Sequence, residues 1–231
     1  LSASSAASDV YKRQTKKFNK SIEFFDKVDQ YDLSDEDQNE FLFKLGYSNF
    51  MKNNQSDAKV LFSELLQNKT NYDVPATYYF SHIAYMEGKY QTALDGFKKI
   101  SENKMFKPII PYYITQILYQ QNKYNELIEY APSYMDSITD KRKGEFAKLI
   151  GDSYFKNKDF LKSLEYYKIF IKSSKSTRES NYQVAFCYYK TKKYKQCIDL
   201  FSRVSFNDDS LTQTSYYHMA DSYLRINEKG Y

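Results

Sequence analysis

Four prolines and six glycines among 231 residues are too few to punctuate a sheet of tight hairpins. The abundant Lys, Glu, Gln, Leu, Ile and Tyr instead favour helices joined by short connections. Histidine is scarcer still. His82 and His218 stand far apart, neither with a cysteine or paired carboxylates in its own helical turn, so no metal site is expected. The chain also lacks a Gly-rich phosphate loop, a G-x-S-x-G elbow and an H-E-x-x-H helix, which argues against the nucleotide-binding, serine-hydrolase and zinc-protease classes. No cofactor is implied. No apolar run approaches the roughly 20 residues needed to span a bilayer.

What is present is enough for a packed core, with 42% hydrophobic and 18% aromatic residues against 27% charged. The net charge of +5 comes from basic and acidic residues that mostly alternate in sign. Even the densest basic run, DKRKGEFAK from Asp140, is interrupted by Asp140 and Glu145, and it reads as an exposed segment rather than a nucleic-acid track. Asp152 and Glu165 read as separate, solvated helix-surface carboxylates rather than an acid–base pair.

The sequence is repetitive. SDAKVLFSELL, YQTALDGFKKI, DFLKSLEYYKIF and YKQCIDLFSRV each place a small residue four before an aromatic: Ala58/Phe62, Ala93/Phe97, Ser163/Tyr167 and Cys197/Phe201. That spacing puts both on one helical face. FNKSIEFFDKV supplies Ser21/Phe25, and YNELIEYAPSY carries Leu127 and Ala131 with large and small exchanged. Ahead of each second helix lies another with its own small residue, at Gly46, Ser81, Thr115, Gly151, Ala185 and Ala220, spaced 35, 34, 36, 34 and 35 apart. A small residue on the first helix lets the second approach closely, and the aromatic is expected to fill the gap to the next repeat. Each hairpin then leaves a face that only a stacked neighbour can bury.

A two-helix unit of about 34 residues resembles the tetratricopeptide repeat, most directly in YMEGKYQTALDGF. The resemblance implies an all-α solenoid, a right-handed superhelix of helix-turn-helix repeats with a concave groove lined by the first helices. The repeats fall at about 38–72, 73–106, 107–142, 143–176 and 177–211, with half repeats at 15–37 and 212–231, so the array reads as truncated at both ends. Ser4 to Gln14, SSAASDVYKRQ, resembles a translated sequencing adapter, and 1–14 is expected to be non-native.

In the family the groove is lined from positions three before, one after, four after and five after the small residue. Carried over, these are Phe43, Tyr47, Phe50 and Met51, then Tyr78, His82, Tyr85 and Met86. Next come Tyr112, Gln116, Tyr119 and Gln120, then Lys148, Asp152, Phe155 and Lys156. Tyr182, Phe186, Tyr189 and Lys190 follow, then Tyr217, Asp221, Leu224 and Arg225. Where chaperone-binding relatives hold a carboxylate clamp of Lys and Asn, this chain has Phe43/Tyr47 and Tyr78/His82, so such a clamp is not expected. Tyr47, Tyr78, Tyr85, Tyr112 and Tyr119 are expected to form one aromatic strip able to hold a peptide or protein segment. Cys187 and Cys197 fall in one hairpin and read as small buried hydrophobes in preference to a disulfide.

The expected function is a non-catalytic protein-interaction scaffold, with a protein or peptide partner and no nucleic acid. A structural spacer and the regulatory part of a larger enzyme are the alternatives. Similarity to many-repeat tetratricopeptide proteins of Bacteroidota implies a periplasmic or outer-membrane setting, with the cytoplasm as alternative.

Overall fold

The computed structural model describes residues 17–29, 32–67, 69–173 and 176–228, and the expectation for 1–14 lies outside them. Two compact units divide at Ile110/Pro111. In the first, a helix over 17–25 (α1) precedes two hairpins, α2 (Asp35–Met51) with α3 (Gln55–Leu65) and α4 (Asp73–Met86) with α5 (Tyr90–Lys99). The second holds α6 (Ile110–Gln120) with α7 (Tyr124–Tyr130), α8 (Asp140–Lys156) with α9 (Phe160–Ser173), and α10 (Arg178–Lys190) with α11 (Tyr194–Val204). It ends on α12 (Ser210–Glu228). No strand occurs among the described residues.

The two helices of a hairpin differ in character because their surroundings differ. The second helix has one covered side, so α11 buries Tyr194, Cys197, Phe201 and Val204, a stripe at helical spacing, and leaves Lys195, Asp199 and Arg203 in water. A first helix packs both on its own partner and on the second helix before it, as α4 does on α5 and α3, and α10 on α11 and α9. α8 accordingly buries Phe146, Ala147, Ile150, Gly151, Asp152, Ser153 and Tyr154 on several sides.

The small and large slots are occupied as spaced. Ala58, Phe62, Ala93, Phe97, Ser163, Tyr167, Cys197 and Phe201 are all fully buried, as are Leu127 and Ala131 of the exchanged copy. There the α-helix tightens into a 3-10 turn over Ala131–Tyr134, since Pro132 has no N–H to donate. The aromatic does more than reach the next repeat. A Cβ on Gly151 would lie 2.8 Å from the Tyr167 ring and one on Gly46 3.0 Å from Phe62, so each ring lies over the glycine of its own hairpin. Phe62 also stacks on Tyr79 of the following hairpin, with ring centres 5.5 Å apart. Ser163 donates from Oγ to the Gly151 carbonyl at 2.8 Å, tying the two helices together where they come closest. Ala220 is exposed, because in the complete hairpins this slot faces the helix that follows, and none follows α12 among the described residues.

With so little glycine, one turn design joins every hairpin. Asn53, Gly88, Asn122, Lys158 and Lys192 take φ of 68, 73, 56, 63 and 61°. Each lies seven residues after the small slot of its first helix. The N–H groups of Asn54, Lys89, Lys123, Asp159 and Lys193 then reach back to the carbonyls of Asn49, Ala84, Leu118, Tyr154 and Tyr188 at 2.8–2.9 Å, closing a Schellman cap each time.

Candidate functional site

In the first unit the rings expected to line the groove come together. Phe43 lies 6.5 Å from Tyr47, Phe50 5.4 Å from His82, Tyr78 6.1 Å from His82 and His82 6.4 Å from Tyr85, all between ring centres. All six are half-buried, with Met51 and Met86 exposed at their edge. The residue that joins them is Tyr79, absent from the sequence-derived set. Its ring centre lies 6.2, 5.4 and 5.0 Å from Phe43, Tyr47 and Phe50 and 5.2 Å from Tyr78. Burial, and then Tyr47, push its hydroxyl up to about 12. Tyr79 lies two residues before the small slot of α4, on the flank turned toward Phe62, and the spacing rule for groove positions passes over it. Tyr78 stacks on Phe106 at 4.3 Å, which makes it a packing residue as well as a surface one.

The second unit treats its tyrosines differently. Tyr112 donates to Glu145 Oε2 at 2.6 Å while Gln116 reaches Oε1 at 3.0 Å, and the Arg142 guanidinium lies 4.7 Å from the Tyr112 ring centre. Tyr119 approaches Asp152 Oδ2 at 3.4 Å, and Tyr189 donates to Asp221 Oδ2 at 2.7 Å. These tyrosine–carboxylate pairs are 33, 33 and 32 residues apart. Each joins a first helix to the next first helix. The hydroxyls of Tyr112, Tyr119 and Tyr189 are thus committed within the protein.

Asp152 corrects the expectation of a solvated carboxylate, for it is 2% exposed. Its Oδ1 accepts from the fully buried Tyr167 hydroxyl at 2.6 Å, and Oδ2 accepts from Lys148 at 2.6 Å. Gly151 beside it draws α9 close, and the ring of Tyr167 carries its hydroxyl past the glycine to the carboxylate. Burial and Asp152 together raise Tyr167 far above the usual phenol range, and push Tyr119 up to about 12.

Farther along, Phe186 gathers Phe155 at 5.7 Å, Tyr182 at 6.3 Å, Tyr189 at 6.2 Å and His218 at 5.2 Å. Burial, then Lys190, lower the His218 imidazole below its ordinary value. Asp221 is held below the carboxylate range first by Arg225, at 2.6 Å, and then by Tyr189. Cys187 and Cys197 are free, buried, and bonded to different serines, Ser163 at 3.5 Å and Ser222 at 3.1 Å.

Comparison with solved structures places this architecture. A TPR repeat-containing protein of Cytophaga hutchinsonii, represented by its C-terminal part, superposes with a TM-score of 0.59 at 11% identity, over 93% of this chain and 93% of its own. The chain has the tetratricopeptide-repeat fold. MamA of Desulfovibrio magneticus RS-1 matches with a TM-score of 0.58 at 13% identity, over 74% of this chain and 94% of its own. The apo form of RapI gives 0.60 at 12%, over 91% and 69%. No protein-family model and no curated protein matches the sequence. In this fold Phe43, Tyr47, Phe50, Tyr78, His82 and Tyr85 are first-helix positions. Among the described residues there is no cluster of His, Cys, Asp or Glu able to hold a metal ion, and no helix long and apolar enough to cross a membrane.

Proposed function

We propose that the chain is a non-catalytic interaction scaffold that takes an extended or helical partner segment on the first-helix face of its first unit. One observation carries the reading. The second helices bury their aromatics Phe62 and Phe97 completely, yet the rings of Phe43, Tyr47, Phe50, Tyr78, His82 and Tyr85 stay half-exposed beside exposed Met51 and Met86. Rigid aromatics and adaptable methionines together provide contact area at low entropic cost. The test is selection from a displayed peptide library on the wild type, followed by affinity measurement on Phe50→Ala and Tyr85→Ala variants whose fold is checked by circular dichroism. At least one substitution should weaken binding by about 2 kcal/mol or more, roughly 30-fold. A library that yields no binder, or binders indifferent to both changes, would remove this reading.

The spacer alternative draws on a separate observation, the commitment of Tyr112, Tyr119 and Tyr189 to carboxylates of neighbouring helices. Those contacts hold first helices to one another, so on that reading the second unit supplies rigidity rather than recognition.

A further inference from the structure

The last two hairpin turns of the second unit carry a cationic edge, of which Phe160 also packs on Phe155 and Phe186 and Lys190 lies 5.1 Å from the Phe186 ring centre. An open cleft of about 490 Å³ lies between the α8–α9 and α10–α11 turns. Its floor is Phe160 and Leu161, the latter 62% exposed, and its rim is Lys158, Lys190 and Lys192, with Asp159 the one acidic member. Asp159 is turned to the backbone, accepting from the Lys162 N–H at 3.1 Å. A second cleft of about 320 Å³ continues along the same edge past Lys193 and Lys195 to Arg225, which is paired with Asp221.

Two independent observations set this edge apart. First, Lys158, Lys190, Lys192, Lys193 and Lys195 form no ion pair among the described residues, whereas at the turn of the first unit Lys59 and Lys89 both converge on Glu87. Glu87 thus partly offsets its turn lysines, and at the α6–α7 turn Lys123 meets Glu126 at 4.0 Å, whereas the lysines of the two later turns have no such carboxylate among the described residues. Second, Lys158 and Lys192 occupy the left-handed turn position that Asn53, Gly88 and Asn122 fill elsewhere in the chain. A lysine adopts that conformation at greater cost than Asn or Gly. Placing a cation there twice, against the local backbone preference, points to a use for the charge.

We propose that the turn edge of the second unit docks an acidic peptide segment that also carries an apolar side chain. The carboxylates face Lys158, Lys190 and Lys192, and the apolar group sits on Leu161 and Phe160. Charge complementarity selects the sign of the partner, and the apolar floor between the cations favours a peptide side chain over a sugar-phosphate backbone. No residue of α2 or α4 lines these clefts, so Tyr85→Ala should leave their binding unaffected.

The experiment is fluorescence anisotropy on the full chain with labelled Glu/Leu, Glu/Ser and Lys/Leu peptides, with single-stranded DNA and phosphatidylserine vesicles as alternative ligands. The Glu/Leu peptide should bind best, and less well as salt rises. Lys158→Asn with Lys192→Asn should weaken it about tenfold, the loss of two exposed charge pairs, while raising the unfolding temperature because the turns relax. Leu161→Ser should weaken the Glu/Leu peptide and leave the Glu/Ser peptide unchanged. The proposal is overturned if the Glu/Leu peptide binds no better than Lys/Leu, or if the asparagine pair keeps full affinity. It is equally overturned if DNA or vesicles bind through these lysines while the acidic peptide does not.

Discussion

Replacing Asp152 by asparagine keeps the side chain's size and removes its charge at a site with little access to water. The carboxylate now accepts from Tyr167 and Lys148, each at 2.6 Å, and from Tyr119 at 3.4 Å. An amide has one accepting oxygen, so if that oxygen serves the fully buried Tyr167 hydroxyl, the NH2 group must face the Lys148 ammonium, donor against donor, while the Tyr119 hydroxyl can turn to accept. Loss of charge-assisted bonding costs about 1.5–3 kcal/mol. The Lys148 side chain is 32% exposed and can turn to water, so the broken ion pair adds no more than about 1 kcal/mol. The total is about 1.5–4 kcal/mol, a drop in unfolding temperature on the order of 10 °C for a chain of this size. Denaturant unfolding of the wild type, Asp152→Asn, Tyr167→Phe and the double variant closes a cycle, whose coupling should be about 1–2 kcal/mol. Glu165→Gln, on the exposed side of α9, is the control and should stay within about 0.5 kcal/mol. A cost for Asp152→Asn no larger than that control, or strict additivity with Tyr167→Phe, would refute the buried network.

Gly151→Leu should destabilise by about 1–3 kcal/mol or more through overpacking, since even a Cβ there meets the Tyr167 ring at 2.8 Å. Exposed Lys156→Leu should be nearly silent, and equal losses in thermal unfolding would disprove the slot assignment. Tyr79 and Tyr119 are raised from 10.0 to about 12. An unfolded chain therefore ionises them first, and the stability they contribute is complete below pH 10 and lost as pH rises to 12. Unfolding midpoints that stay level across that window would contradict this. Both cysteines are fully buried and burial pushes the Cys187 thiol up to about 12, so neither should react with a thiol reagent except as the protein unfolds. Fast native-state labelling would count against the packing.

Much of this architecture is a property of local spacing. The pairing of Ala58 with Phe62 or Ser163 with Tyr167 is a four-residue interval, and a helix turns any such interval into a shared face. The turn residues Asn53, Gly88 and Asn122 were equally open to reading, as residue types that tolerate positive φ, whereas Lys158 and Lys192 hide the same turn behind an unfavourable side chain. The candidate site was legible only in part. Counting from the small slot selected Phe43, Tyr47, Phe50, Tyr78, His82 and Tyr85, and these do adjoin one another, but it passed over Tyr79, which joins them.

The sequence by itself determined the repeat period, the helical class and which residues share a helix face, because those follow from intervals of three, four and about 34 residues along one chain. Tertiary structure alone decided that Asp152 is buried and that Tyr112, Tyr119 and Tyr189 give their hydroxyls to Glu145, Asp152 and Asp221. It also decided that the lysines of the last two complete turns form no ion pair among the described residues. Such pairings depend on how far one first helix is displaced against the next. That displacement is set by the summed packing of whole hairpins, and a difference of about an ångström determines whether a hydroxyl reaches a carboxylate.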